Sequence, residues 1–181
     1  MKKVLFIHGF EGSCDKNWFP WLQKQLQQFS YAVVNETLPN SAHPDYEESL
    51  SFLKDATKDF TPQDSVLGHS LGAFFALKLA EEMEFDRLYA IAPAVGDLPF
   101  KKYQEMWPGS DVDALQKVVE KGVDMKKVQA KRKIAVFSDD DPYIPLETAS
   151  YFDESWKIIT MEGYGHFQEK QYPELLSQLI S

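Results

Sequence analysis

The sequence has a single cysteine, Cys14, among 181 residues. No disulfide framework can form within the chain, so the fold has to rest on its packed core. Long hydrophobic runs are also missing. After Met1-Lys2-Lys3 the apolar stretch Val4-Leu5-Phe6-Ile7 ends at His8-Gly9. That is too short for the apolar region of a signal peptide or for a membrane span. Basic residues are scarce: 19 Lys and Arg stand against 28 Asp and Glu, a formal net charge of −9. An acidic surface disfavours nucleic acid and anionic membranes as partners. No run of like charge reads as a tail. The four histidines, at 8, 43, 69 and 166, are too scattered to build a structural zinc site with Cys14 by local spacing. These absences lead to the expectation of a soluble, cytoplasmic protein with no nucleic-acid or membrane partner. They do not fix an oligomeric state; a monomer is expected.

The hydrophobic share of 44% and the aromatic share of 14% belong to a globular chain. The length suits one domain, residues 1–181, with a sizeable core. Everything in the chain is arranged about Gly68-His69-Ser70-Leu71-Gly72. This Gly-x-Ser-x-Gly follows a short apolar strand, residues 64–67, and opens a helical run from Leu71 to Met83. A serine between strand and helix has the form of a nucleophile elbow, in which a sharp turn lifts the hydroxyl clear of the sheet. Glycines two residues to either side keep Cβ atoms out of the tight space.

The other elements alternate. Strands are expected at 4–7, 31–34, 87–92, 133–137 and 156–161, and helices at 17–29, 45–60, 147–152 and 172–180. Residues 93–131 are the least regular, with a helix at 111–120 and a short turn at 125–129. Phe100, Tyr103, Met106 and Trp107 would give this insertion an apolar underside, as a lid or as an ordinary crossover. Strand–helix alternation predicts an α/β chain: one doubly wound, mostly parallel sheet of about six strands with helices on both faces. Ligands of such sheets bind beyond the carboxyl ends of the strands, and the polar loops singled out here fall there.

A serine hydroxyl needs a base within hydrogen-bond reach, and the base needs an orienting group. His166, in Gly163-Tyr164-Gly165-His166-Phe167 after the last strand, is the best placed histidine. His69 adjoins Ser70 and its side chain should point away from it. His8 should shape the loop after the first strand, and His43 should be an exposed loop residue. The acid should come from Asp139-Asp140-Asp141. Three adjacent carboxylates cannot all be buried, so one is expected to act and two to be solvated. Asp141, heading Asp-Pro-Tyr-Ile-Pro, is preferred, with Asp140 the alternative. The order Ser70, Asp141, His166 is that of the α/β-hydrolases. Backbone amides of Phe10 and Leu71 would stabilise a tetrahedral oxyanion.

On the His8-Gly9 opening, the tryptophan-bearing first helix, Gly68-His69-Ser70-Leu71-Gly72, Asp141-Pro142-Tyr143-Ile144-Pro145 and Gly165-His166-Phe167, the chain resembles the α/β-hydrolases. More narrowly, it is similar to the retinoblastoma-binding protein 9 family of small serine hydrolases. The resemblance implies a Ser70–Asp141–His166 triad on a six-stranded core with little or no cap. Esterase-like attack on a small acyl ester, thioester or amide through an acyl-enzyme would follow, with no metal or organic cofactor. A non-catalytic binding protein on the same fold, or an acyltransferase with the same triad, is the alternative. The family's Leu-x-Cys-x-Glu partner motif is not matched around Cys14, so retinoblastoma binding is not implied.

Overall fold

A computed structural model describes the backbone of residues 1–180 and the side chains of residues 1–177. The strands are β1 (Lys3–Ile7), β2 (Ala32–Asn35), β3 (Ser65–His69), β4 (Phe85–Ile91), β5 (Ala130–Ser138) and β6 (Trp156–Met161). The helices are α1 (Phe19–Gln28), α2 (Tyr46–Ala56), α3 (Leu71–Ala80), α4 (Phe100–Met106), α5 (Val112–Val119) and α6 (Pro173–Ile180). A 3-10 helix, Leu146–Tyr151, lies between β5 and β6. The strands form one sheet in the order β2-β1-β3-β4-β5-β6, and every pair is parallel.

The order reverses between β1 and β3. At such a switch point the loops leaving neighbouring strands diverge and open a crevice beyond their carboxyl ends. The loop Gly9–Asn17 leaves β1 there, and Ser70 leaves β3. β1 and β3 are buried along almost their whole length, which explains why β1 reads as a continuous apolar run.

Helix α3 is apolar on nearly every side. All its residues except Lys78 are buried, as a helix at the centre of the fold requires. Gly72 permits this depth: a Cβ there would lie 2.1 Å from the Ile7 carbonyl oxygen. A Cβ on Gly68 would lie 2.2 Å from the Gly72 carbonyl oxygen and 2.5 Å from the Ala73 Cα. Both obstacles are backbone and cannot swing aside. Gly72→Ala is therefore expected to destabilise the fold by more than about 3 kcal/mol, beyond ordinary overpacking. Thermal denaturation checks this, and a midpoint within a few degrees of the parent would contradict it.

Several elements differ from the sequence pattern: α2 ends at Ala56 rather than at residue 60, α3 at Ala80 rather than at Met83, β4 and β5 begin two to three residues earlier, and the helix expected at 147–152 is a 3-10 helix. Helix α1 starts at Phe19 rather than Asn17, because Asn17 has a left-handed backbone (φ 53°) that cannot lie within a helix. Helix α4 was not expected as a separate element. It forms where Phe100, Tyr103 and Trp107 recur at helical spacing, and Tyr103 is buried. No helix among the described residues is long and apolar enough to cross a membrane.

Candidate active site

Ser70 joins β3 to α3 with φ 57° and ψ −120°, a region that costs a non-glycine residue about 1–3 kcal/mol. The strain is held by hydrogen bonds on both sides of the turn. The Ser70 N–H donates to the Ile91 carbonyl (2.9 Å), and the Ser70 carbonyl accepts from the amides of Ala73 (3.0 Å) and Ala94 (3.2 Å). The side chain borders a cavity of about 270 Å3 that His166, Phe10, Tyr103, Trp107 and Tyr143 also line.

His166 follows β6. Its Nδ1 lies 2.9 Å from Asp141 Oδ2 and 3.1 Å from Oδ1. The Asp141 carboxylate is 1% exposed and the His166 ring 8%. Asp141 Oδ1 also accepts from the amides of Tyr143 (2.9 Å) and Ile144 (3.0 Å). Carboxylate oxygens accept, so the contact is made by a proton on His166 Nδ1. The Nε2 lone pair is then left for a hydroxyl. Ser70 and His166 thus border one cavity, with Asp141 behind the ring.

The neighbouring carboxylates are exposed, but they are not merely solvated. Asp140 Oδ1 accepts from Ser138 Oγ and the Gly165 N–H, both at 2.7 Å, and Asp139 Oδ1 accepts from the Gly163 N–H at 2.9 Å. Hydrogen bonding from Ser138, then Gly165, holds the Asp140 carboxyl below its ordinary range. Two of the three aspartates are solvent-exposed, as expected from the sequence; in addition, Asp139 and Asp140 tie down the loop that carries His166.

The same loop is gripped from its other side. His69 Nε2 lies 2.9 Å from the His166 carbonyl oxygen, and Trp18 Nε1 donates to the next carbonyl, Phe167, at 2.8 Å. A carbonyl only accepts, so His69 carries its proton on Nε2. His69 therefore faces away from the serine, and works by anchoring the main chain of His166. Sequence reasoning missed this grip. The only trace of it was a tryptophan at the start of α1 beside an unexplained second histidine.

His8 plays a comparable part in the β1 loop. The Leu38 N–H donates to His8 Nε2 (2.9 Å), so Nδ1 bears the proton and donates to the Gly9 carbonyl (2.9 Å), which also accepts from the Gly12 N–H (3.1 Å). With the Gly9 carbonyl turned inward, the trans peptide aims the Phe10 N–H the opposite way. Neither the Phe10 nor the Leu71 amide has an acceptor among the described residues. Unpaired amides of this kind are rare in folded proteins, and the Leu71 amide also lies at the positive end of α3. Gly9 abuts Ser70: a Cβ on it would be 3.0 Å from Ser70 Cβ. His43 sits in a loop, 73% exposed, beside Asp111.

Burial, the largest cause in both cases, pushes His8 below and His69 well below the ordinary histidine pKa of 6.5. The unfolded chain therefore binds protons that the folded protein refuses. Stability is expected to be level above about pH 6.5. Below it, stability should fall by up to about 1.4 kcal/mol per pH unit for each of the two histidines. Urea denaturation at pH 7.5 and 5.5 measures this, and equal midpoints would refute it.

A parallel six-stranded sheet flanked by helices, with a sharp serine turn after β3, is the architecture of the α/β-hydrolase fold. The profile of the serine hydrolase family matches residues 4–177, and the chain belongs to that family. It is 24% identical to YdeN of Bacillus subtilis over 178 residues, covering 94% of this chain and 88% of that one. It is 22% identical to the serine hydrolase RBBP9 of Rattus norvegicus over 183 residues, covering 96% and 91%. Among solved structures, the ydeN gene product from B. subtilis aligns with a TM-score of 0.86 at 21% identity, over 99% of this chain and 97% of that one. Est1E from Butyrivibrio proteoclasticus, with ferulic acid bound, aligns with a TM-score of 0.75 at 15% identity, over 99% and 86%.

Proposed function

We propose that this protein cleaves a small carboxylic ester, or a thioester or amide of similar size, through an acyl-enzyme on Ser70. His166 takes the proton as Ser70 Oγ attacks the carbonyl carbon, and a tetrahedral intermediate forms. Its oxyanion accepts hydrogen bonds from the Phe10 and Leu71 amides. Collapse breaks the acyl bond, and His166 returns the proton to the leaving group. Water, deprotonated by the same imidazole, then attacks the acyl carbon; the Ser70 Oγ–acyl bond breaks as the imidazolium returns its proton to Ser70 Oγ, and the acid is released. Asp141 keeps the ring in the tautomer that can accept from serine and stabilises the imidazolium. Side chains and backbone amides suffice for each step.

The observation that carries this reading is the His166 Nδ1–Asp141 contact at 2.9 Å beside a cavity shared with Ser70. The free amides of Phe10, which lines that cavity, and of Leu71, next in sequence to Ser70, support it, as does membership of the serine hydrolase family. The test is fluorophosphonate labelling of the purified protein, with p-nitrophenyl acetate and butyrate as substrates. One label per chain, absent from Ser70→Ala, is expected together with turnover. A folded protein that takes no label would overturn the proposal, since only an activated serine reacts.

A further inference from the structure

The segment between β4 and β5 walls the cavity with aromatic rings. Trp107, at the end of α4, has its ring centroid 4.7 Å from Tyr143, 5.0 Å from Tyr103 and 6.3 Å from Phe10. It thereby touches both the loop after β1 and the loop that carries Asp141. Tyr143 stands edge-on to His166, centroids 4.9 Å apart at 81°. The hydroxyl of buried Tyr103 donates to the Tyr143 carbonyl, which fixes these two walls relative to each other. Leu98 and Leu115 line the same space.

Part of the lining is polar: Lys16, Asn17 and Gln168 border the same cavity, and with Ser13 they also border an adjoining recess of about 60 Å3 that Ser70 and His166 share. The side-chain amides of Asn17 and Gln168 have no hydrogen-bond partner among the described residues. Asn17 has a left-handed backbone, φ 53°, a conformation asparagine adopts readily in loops. The volume suffices for only a few heavy atoms, about two waters' worth.

Resting on the serine hydrolase reading above, we propose that the site takes an ester with two unlike limbs. One is an aromatic group seated against Tyr103, Trp107 and Tyr143; the other is short and polar, facing Asn17 and Gln168. Aromatic walls favour an aromatic guest through edge and offset contacts as well as through burial. Either the acid or the alcohol can carry the aromatic group, so the experiment, which tests the aromatic limb, has two arms. Methyl 3-phenylpropionate is compared with methyl butyrate, and benzyl acetate with butyl acetate.

Burying a phenyl ring predicts that kcat/KM favours the aromatic member by about 10- to 100-fold in one arm, and the arm identifies the limb. Trp107→Ala is expected to bring that ratio down to about threefold or less, and Trp107→Phe to retain most of it. Ratios below about tenfold in both arms, or a ratio unchanged in Trp107→Ala, overturn the proposal. If neither variant folds, the wild-type ratios decide alone. Fluorophosphonate labelling of the same preparation separates the two levels. A labelled protein without aromatic preference loses the aromatic wall and keeps the serine chemistry, whereas an unlabelled one loses both.

Discussion

Ser70→Ala is expected to lower turnover of p-nitrophenyl butyrate by about five to six orders of magnitude while the fold persists. The size follows from how such groups act together: without the nucleophile the base and the acid have nothing to activate, and single deletions elsewhere cost about 10^6-fold. A residue of about 10^3- to 10^4-fold over water should survive from the oxyanion amides and from binding. The fold should survive because the Ser70 backbone, rather than its hydroxyl, holds the turn through Ile91, Ala73 and Ala94. Alanine inherits the strain at φ 57°, so its thermal midpoint should match the parent's. Ser70→Gly removes the Cβ that makes this conformation costly and should be stabler than Ser70→Ala by about 1 kcal/mol. The pair of variants thus separates the two properties of the elbow. Turnover retained in Ser70→Ala would remove the serine from the mechanism. A Ser70→Gly protein less stable than Ser70→Ala would mean that the turn stores no strain.

The elbow was legible because its requirements are local. Strand, turn and helix follow one another within a few residues, and the two glycines are needed where backbone meets backbone, at Ile7, Gly72 and Ala73. The parallel sheet was legible for a similar reason, since alternating elements leave few other ways to bury β1 and β3. What the chain brings together from afar was harder to read. Asp139, Asp140 and Asp141 are chemically identical in sequence, and only the direction in which β5 ends decides which carboxylate meets His166. The grip of His69 and Trp18 on consecutive carbonyls joins residues separated by 97 and 149 positions, and no spacing rule reaches so far. Helix α4 was hidden by its length: at seven residues its helical pattern covers barely two turns, and Pro99 and Pro108 read as loop punctuation. Its place over the cavity depends on Tyr103 and Trp107 meeting Tyr143, a contact between this helix and the loop after β5.

Asp141→Asn is expected to lower kcat/KM by about 10^4-fold with little change in stability, and Asp140→Asn by less than about tenfold. The difference lies in what each carboxylate holds. In the Asp141→Asn variant the one amide oxygen can still accept from the Tyr143 and Ile144 amides, as Oδ1 does now, so the turn is kept. The NH2 group that replaces Oδ2 meets His166 Nδ1, 2.9 Å away, donor against donor. The ring relieves the clash by moving its proton to Nε2, where it can no longer accept from a serine, and a nearly intact site becomes inactive. At position 140 the amide oxygen can replace Oδ1 toward both Ser138 and Gly165, and no imidazole is involved. Steady-state rates for the two variants, measured beside their thermal midpoints, decide between the carboxylates. A larger loss in Asp140→Asn would transfer the orienting role to Asp140. A loss in Asp141→Asn that tracked a fall in midpoint would make Asp141 a folding residue rather than the group that sets the tautomer.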